Sequence, residues 1–513
     1  MKWPKFLSRT KPVKKQRKNP KLVVMNDNSF GKDLEKRLIG INPTRLTGDF
    51  EENTVRGSIS NAIRASAESQ RDYARTLQLN SPHIKKAVQY QIDNVVGADG
   101  INPQPRVTDA NGEINKVVNK NILDKFKYWS ENRKQFSRGN KHNWRSFSLL
   151  VESARFVDGE VFIRMHESTD GFKVEIIGAD RVPYGETLKS ETTYTRNGIE
   201  YDNETDEPVS YSFKVIDKLT DTQNGKLEIV PADEVIHYYL EKIPGQQRGI
   251  SELTAVMATT VQYDEFIKAA IVQKRQAASS MGFITQDKET QADVDLGLGH
   301  DHSDGDIDHE VDVIQEIEAG TLQKLPAGSD IKQFTATQGA DDAASFSDLL
   351  DGNLSMGLNF YKQGYKGDTA GVNYSSARFG AMNERGNFKN IQSTLQEVVL
   401  MPLFEKWLTY MIMTEQFDFK MTAVQSIMAS ITWTFPRRES IDPLKDTDND
   451  IRLVENGFKS ASQVILERGD DPEKVFAEVE SEKDRFVPKQ VNKVEVAEAP
   501  ALVAAEAQDD VQE

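Results

Sequence analysis

The chain of 513 residues contains no cysteine. That excludes a disulfide framework and any zinc site built on thiolates, and it suits a reducing compartment. It has no Gly-Lys-Ser/Thr phosphate loop: Gly31-Lys32 is followed by Asp33, and Gly225-Lys226 by Leu227. ATP hydrolysis by that route is therefore excluded. The most helical stretch offers no uncharged run near the ~20 residues a membrane span needs, because Asp264, Glu265, Lys268, Lys274 and Arg275 interrupt it. The N-terminus, MKWPKFLSRTKPVKKQRKNPK, is basic but lacks the apolar segment of a signal peptide.

What the chain does carry is charge, unevenly placed. The formal net charge is −16. The first 21 residues nevertheless hold nine Lys or Arg and no acid, while the last 70 are strongly acidic. Each phosphate a protein neutralises adds counterion-release affinity. A negative total is thus compatible with a surface that nucleic acid slides past and poorly compatible with a tight binder. Plain solubility accounts for the total equally well.

The most informative segment is EKIPGQQRGISELTAVMATTVQYDEFIKAAIVQKRQAASSMGFIT, Glu241 to Thr285. Pro244 stops any upstream helix, Gly245 and Gly249 bracket a turn, and Ser251-Glu252 open a helix free of Gly and Pro to Met281. At 1.5 Å per residue that helix is roughly 45 Å long. A short apolar strand follows it.

Four other stretches accompany it. Ser66 to Val107 reads as two helices broken at Asn80-Ser81-Pro82, then a loop at Gly97 and Gly100. In Leu149 to Pro183, Asp158-Gly159 turns a helix into a strand, and Asp170-Gly171 signals a hairpin. The third is VNYSSARFGAMNERGNFKNIQSTLQEVVLMPLFEKWL, Val372 to Leu408, whose helix Pro402 should kink near its end. The fourth, Trp433 to Phe486, contains Asp442-Pro443-Leu444-Lys445 and Glu467-Arg468-Gly469-Asp470. In this order along the chain, the five stretches resemble the lambda-type family of tailed-phage portal proteins. There a Gln-Arg-Gly turn leads into a long Ala-rich helix and then a small-residue step into a strand.

The resemblance implies an α+β, mostly helical, portal-type subunit with wing, stem, clip and crown regions that assembles into a ring, twelve-fold in assembled heads. Residues 1–50 would be a flexible basic arm and 51–240 the first part of the wing. Residues 241–281 would carry the first stem helix, 282–340 the clip and 341–359 the second stem helix. A channel loop would occupy 360–374, and a long kinked helix with the rest of the wing 375–440. Crown helices would fill 441–486, with a disordered acidic tail at 487–513. The implied partners are copies of this chain, double-stranded DNA without sequence preference, the terminase large subunit, a head-tail connector, the major capsid protein and scaffold. No cofactor, no catalysis and no membrane are implied, and the place of work is a capsid vertex, reached by assembly in the host cytoplasm.

Several residues are candidates for chemistry. Lys268 and Arg275 lie seven apart on one helix face, and Lys362 and Lys366 flank the Gly-rich break YKQGYKGDTAGVNY. In a ring they would form bands of positive charge that touch phosphates without reading bases. Alternatively, Lys268 pairs with Asp264 at i, i+4 and the others are solvated. Gly364, Gly367 and Gly371 would give the channel loop its freedom. Glu384, Arg385 and Lys389 share a helical face with Gln392 and Gln396. That face is either solvated or meets an adjacent subunit, with Arg385 the intersubunit candidate. Trp407 and Tyr410 read as core or subunit contact, and Ser375 and Ser376 as caps of the third helix.

The cluster HDHSDGDIDHE, His300 to Glu310, holds His300, His302 and His309 among acids. Imidazole and carboxylate are competent metal ligands, but a loop starting at Asp304 has His309 where an EF-hand needs Gly and Gln315 where it needs Glu. A solvated loop is the better reading. The leading function is then a portal. A portal of a defective prophage or gene-transfer particle is the alternative, and a metal-dependent enzyme on the histidine cluster the outsider.

Overall fold

The computed structural model describes residues 58–482 apart from 110, 186–187, 221, 280–282, 287–328, 333–342, 369–372, 437–442, 469 and 471. The basic arm, the acidic tail, most of the expected clip, Gly371 and the three histidines of the His300 cluster lie outside the described residues. The chain divides into two compact units, with the boundary between Ile441 and Asp442.

In the first unit, α1 (Ile59–Asn80) and α2 (Pro82–Val95) are separated by Ser81 alone. Pro82, whose missing N–H costs nothing at a helix start, opens the second helix. A short strand β1 (Asn102–Pro105) leads to α3 (Lys116–Glu131), the single turn α4 (Arg133–Phe136) and α5 (Trp144–Asp158). Asn143 and Ser146 cap α5 reciprocally, side chain to backbone amide in both directions. Gly159, at φ 90°, ends it in the left-handed region. The strand β2 (Glu160–Ser168) starts at the next residue and hairpins into β3 (Gly171–Gly178), with Ser168 opposite Gly171 as the Asp-Gly signal predicts. Then come β4 (Leu188–Lys189), β5 (Thr193–Arg196), β6 (Ile199–Asp202), β7 (Pro208–Ile216), β8 (Gln223–Pro231) and β9 (Val235–Tyr239). They build two antiparallel sheets, of order β3-β2-β9 and β4-β5-β6-β7-β8.

The run Val161-Phe162-Ile163 in β2 is buried throughout. Successive strand residues point to opposite faces, so β2 serves two cores. Val161 and Ile163 face the main core, while Phe162 joins Tyr201, Tyr211, Phe213 and Val230 in a smaller one.

Upstream of the long helix, Ser251 caps a 3-10 turn, Glu252–Ala255, by accepting from the Leu253 amide. The α-helix itself, α6, runs Met257–Ser279, about 35 Å at 1.5 Å per residue. It begins later than the sequence suggests because the first turn is wound more tightly. Strands β10 (Phe283–Gln286) and β11 (Ser329–Lys332) pair antiparallel. Helix α7 (Ala343–Gly357) packs back on α6, with the Phe266 and Phe346 rings 4.7 Å apart. A short helix α8 (Lys362–Lys366) precedes α9 (Tyr374–Leu395), a π-helical turn at Gln396–Leu400, and α10 (Met401–Met413). Pro402 cannot donate an amide hydrogen bond, and the irregularity expected near it takes the form of that π turn. Helix α11 (Ala423–Ser430) and β12 (Ile431–Thr434) complete the unit, β12 pairing with β1 so that Asn102 faces Thr434.

The cap of α9 is Asn373, whose side chain accepts from the Ser376 amide, and not Ser375 or Ser376. Asn373 stands directly before the first helical residue, Tyr374, whereas both serines already lie inside the helix. The main core gathers around an aromatic cluster of Phe126, Trp129, Trp144, Phe404, Trp407 and Trp433. Trp407 is fully buried and stacks 5.7 Å from Trp129, in agreement with a core role. Tyr410 donates to the Ser168 carbonyl at 2.9 Å.

The second unit contributes α12 (Pro443–Glu455), α13 (Ala461–Glu467) and α14 (Pro472–Glu482). Ser460 caps α13, and Arg468 reaches Asp450 at 3.1 Å.

Candidate functional site

The Gly-rich break begins with structure. After α7 the chain turns through Asn359, a non-glycine residue at φ 58°, and buries Phe360. Helix α8 is pinned by Tyr365, which is buried and donates to the His83 carbonyl at 2.8 Å. Phe360, Tyr90 and Phe388 form an aromatic nest beside it, with Tyr90 5.1 Å from Phe360. Glu384 of α9 closes this nest. One carboxylate oxygen accepts from the Tyr90 hydroxyl at 2.9 Å and the other from the Tyr361 amide at 3.0 Å.

Glu384 is therefore buried and bonded, a correction to the expectation of a solvated face. The reason is its register: it sits on the side of α9 that packs on α2, as does Gln392, which donates to the Asn94 carbonyl at 3.1 Å. Arg385 and Lys389 are exposed, so that face divides between core and surface.

The glycines divide as well. A Cβ on Gly364 would lie 2.5 Å from the Tyr90 hydroxyl oxygen. Its missing side chain makes room for a close approach, and inside a helix it is no hinge. Gly367 has φ 73° with nothing within 4 Å of a would-be Cβ, and it ends α8 in the left-handed region. Of these two described glycines, Gly367 alone has a positive φ.

The two lysines stand at i, i+4 on α8 and meet two acids at i, i+3 on α7. Lys362 Nζ lies 2.6 Å from Asp348 Oδ1. Lys366 Nζ lies 2.9 Å from Asp351 Oδ2, with Asp348 at 3.9 Å and Asp368 at 4.0 Å. The Asp351 hydrogen bond raises the Lys366 pKa. The Lys362 hydrogen bond holds Asp348 below the ordinary carboxylate range. The structure thus brings Lys362 and Lys366 together, already paired with carboxylates that the sequence reading left out. The signal that could have found them is the matched spacing on two adjacent helices.

Lys268 and Arg275 are exposed on α6. Among the described residues no ion pair joins Lys268 to Asp264, whose carboxylate instead faces the Ser81 hydroxyl at 3.5 Å.

A second constellation went unnoticed in the sequence: the buried joint where the sheets meet the root of α6. Glu160 accepts from Arg248 Nη2 at 2.6 Å, His237 Nε2 at 2.9 Å, the Gly249 amide at 2.8 Å and the Tyr184 hydroxyl at 3.4 Å. Burial opposes its charge, yet Arg248 and His237 outweigh that and hold its pKa far below the usual value. Beside it Glu152 accepts from Arg155, Gln91 and Tyr238, and Arg155 reaches on to Glu252 at 2.9 Å, itself paired with Lys242. The Arg248-Gly249 pair is the Arg-Gly of the Gln-Arg-Gly turn, and its geometry explains the turn. A Cβ on Gly249 would lie 2.1 Å from the Gly159 carbonyl oxygen. Two glycine backbones touch here, and the arginine locks them.

The family profile described as "Phage portal protein, lambda family" matches residues 47–392 of this chain. The chain belongs to that family. The match runs through both sheets, α6, α7, the lysine-bearing turn and most of α9. The "Probable portal protein" of Halomonas phage phiHAP-1 is 26% identical over 455 residues, covering 86% of this chain and 85% of that protein. "Portal protein B" of Escherichia phage lambda is 23% identical over 264 residues, covering 47% and 49%. A chain from the solved "Neck of empty GTA particle computed with C6 symmetry" is 13% identical at a TM-score of 0.39, covering 78% of this chain and 94% of that one.

Proposed function

We propose that this portal-family chain is the subunit of a closed ring that sits at a single capsid vertex and forms the channel through which DNA enters and leaves. The reading rests on the family match over residues 47–392. Antiparallel helices α6 and α7 would form the stem. Residues 282–340 would form the clip on which the terminase large subunit, and later a head-tail connector, dock. Residues 1–240 and 375–440 would supply arm and wing against capsid protein and scaffold, and residues 441–486 the crown. The function is mechanical: this chain makes and breaks no covalent bond. It works in the virion after assembly in the host cytoplasm.

Lys362 and Lys366, with Lys268 and Arg275 on the stem, would offer weak phosphate contacts that leave DNA free to slide. Gly367 would be the pivot of the segment they flank, and Arg385 would face the adjacent subunit. Rings close by heterologous contacts that repeat until they meet. The test is electron microscopy of the purified protein, classified for rotational symmetry. Closed rings with a central channel, twelve-fold in heads, are expected. A monodisperse monomer at high concentration and moderate salt would overturn the reading.

A further inference from the structure

The two lysines proposed to meet DNA are not free cations in the subunit. We infer that Asp348 is an exchangeable counter-ion that keeps Lys362 and Lys366 neutralised until a DNA phosphate displaces it, while Asp351 is the fixed anchor of the turn. The inference rests on the channel reading of this segment and adds to it a device for setting how strongly the channel holds DNA.

The two acids differ in burial. The Asp348 side chain is 60% exposed and that of Asp351 is 5% exposed. Asp348 contacts both ammoniums, Lys362 at 2.6 Å and Lys366 at 3.9 Å, and its backbone carbonyl also accepts from Lys362 at 3.0 Å. An exposed pair of this kind is weak and is replaced readily by another anion. Asp351 instead faces His83 Nδ1 at 4.0 Å as well as Lys366 at 2.9 Å. Breaking a pair that includes so buried a carboxylate leaves an uncompensated charge, which is unfavourable.

Asp368 adds a third carboxylate, 4.0 Å from Lys366, so an incoming phosphate meets two ammoniums that already have carboxylate partners. Lys362 is 26% exposed and Lys366 37% exposed, so both remain reachable. The segment therefore attracts phosphate only as far as phosphate outcompetes Asp348, which permits sliding and prevents a static grip.

The experiment measures binding of a short random-sequence DNA duplex to assembled rings of the full chain as salt is raised. For B-DNA the log–log slope grows by about 0.9 for each phosphate neutralised. Asp348→Asn should steepen the slope, Asp348→Glu should match the parent, and Lys362→Ala with Lys366→Ala should flatten it. If the double lysine variant flattens the slope while Asp348→Asn leaves it at or below the parent's, the counter-ion role is overturned and the channel reading stands. If none of the variants moves the slope, the channel reading itself fails and the counter-ion role with it. Asp348 is exposed, so its substitution leaves the fold in place, and ring yield by microscopy checks that.

Discussion

Glu160 and Arg248, 88 positions apart in the sequence, meet side by side with 1% and 0% of their side chains exposed. The pair ties the start of β2 to the turn that launches the long helix, and Gly249 adds its amide to the same carboxylate. Removing one partner strands a buried charge, which typically costs about 3–5 kcal/mol, whereas replacing both by apolar groups is often close to neutral. Glu160→Gln and Arg248→Met should each lower the denaturation midpoint sharply, and the double variant should lose less than the two single losses added. Strict additivity in a double-mutant cycle would mean the two side chains act independently.

The contact between Gly159 and Gly249 leaves no space for a methyl group. Gly249→Ala should cause severe loss of soluble folded protein. Gly386, inside α9 with nothing within 4 Å of a would-be Cβ, is the contrast. Gly386→Ala should be neutral or stabilising by about 0.5–1 kcal/mol, as expected when a helix-interior glycine gains a side chain. Expression yield and melting temperature measured in parallel decide the matter. Equal behaviour of the two variants would show that the close approach is not what the first glycine serves.

Acid should loosen the sheet through Glu175. The hydrogen bond from His166, opposed by partial burial and reinforced by Arg138, holds its pKa down to about 2 against an ordinary 4.5. The folded value lies below the unfolded one. The stabilisation is therefore complete above about pH 4.5 and is lost as pH falls from there through 2. Glu160 is shifted in the same direction by Arg248 and His237, against its burial. Glu175→Gln should lower the melting temperature at neutral pH and converge with the parent near pH 2. A constant difference across that range would contradict the assignment.

The aromatic pair on α10 should separate in magnitude. Trp407, fully buried among Phe126, Trp129 and Phe404, should cost about 3–5 kcal/mol on replacement by Ala. Tyr410→Phe removes only a hydroxyl bond to the Ser168 carbonyl and should cost about 1 kcal/mol. Denaturant titration of both variants reads the difference. Comparable losses would indicate that the Tyr410 hydroxyl contributes far more than one ordinary hydrogen bond.

Gly364→Ala tests fit against freedom. If the glycine makes room for Tyr90, the variant should unseat α8 and change the environment of that tyrosine, seen as faster hydrogen exchange over residues 360–366. Pairing Gly364→Ala with Tyr90→Phe, which removes the obstructing oxygen, should relieve part of the defect. No relief would point back to backbone flexibility as the role of this position.

Much of the fold was legible where the signal is local. The break at Ser81-Pro82, the helix stop at Gly159 and the Asp-Gly hairpin each follow from one or two residues with restricted backbone angles. Trp407 reads as either core or subunit contact, and the structure buries it in the core. The site was legible only as a set of residues. Lys362 and Lys366 could be named from the sequence, but their neutralisation could not, because Asp348 and Asp351 are brought to them by the folding back of α7. Glu384 looked like one acid on a polar face, and the hydroxyl and amide that bury it come from Tyr90 and Tyr361. The Glu160–Arg248 joint was invisible for the same reason. Only the unusual Gln-Arg-Gly turn marked its place, and the turn's purpose depends on a glycine in another element.

Residues 287–328 leave and return through one antiparallel strand pair, Phe283–Gln286 with Ser329–Lys332. Paired strands lie about 4.8 Å apart, so the two ends of that segment are neighbours whatever its length. The strand pair therefore fixes where the chain departs from and rejoins the described part of the unit, so substitutions between residues 287 and 328 leave the sheets and the buried ionic joints untouched.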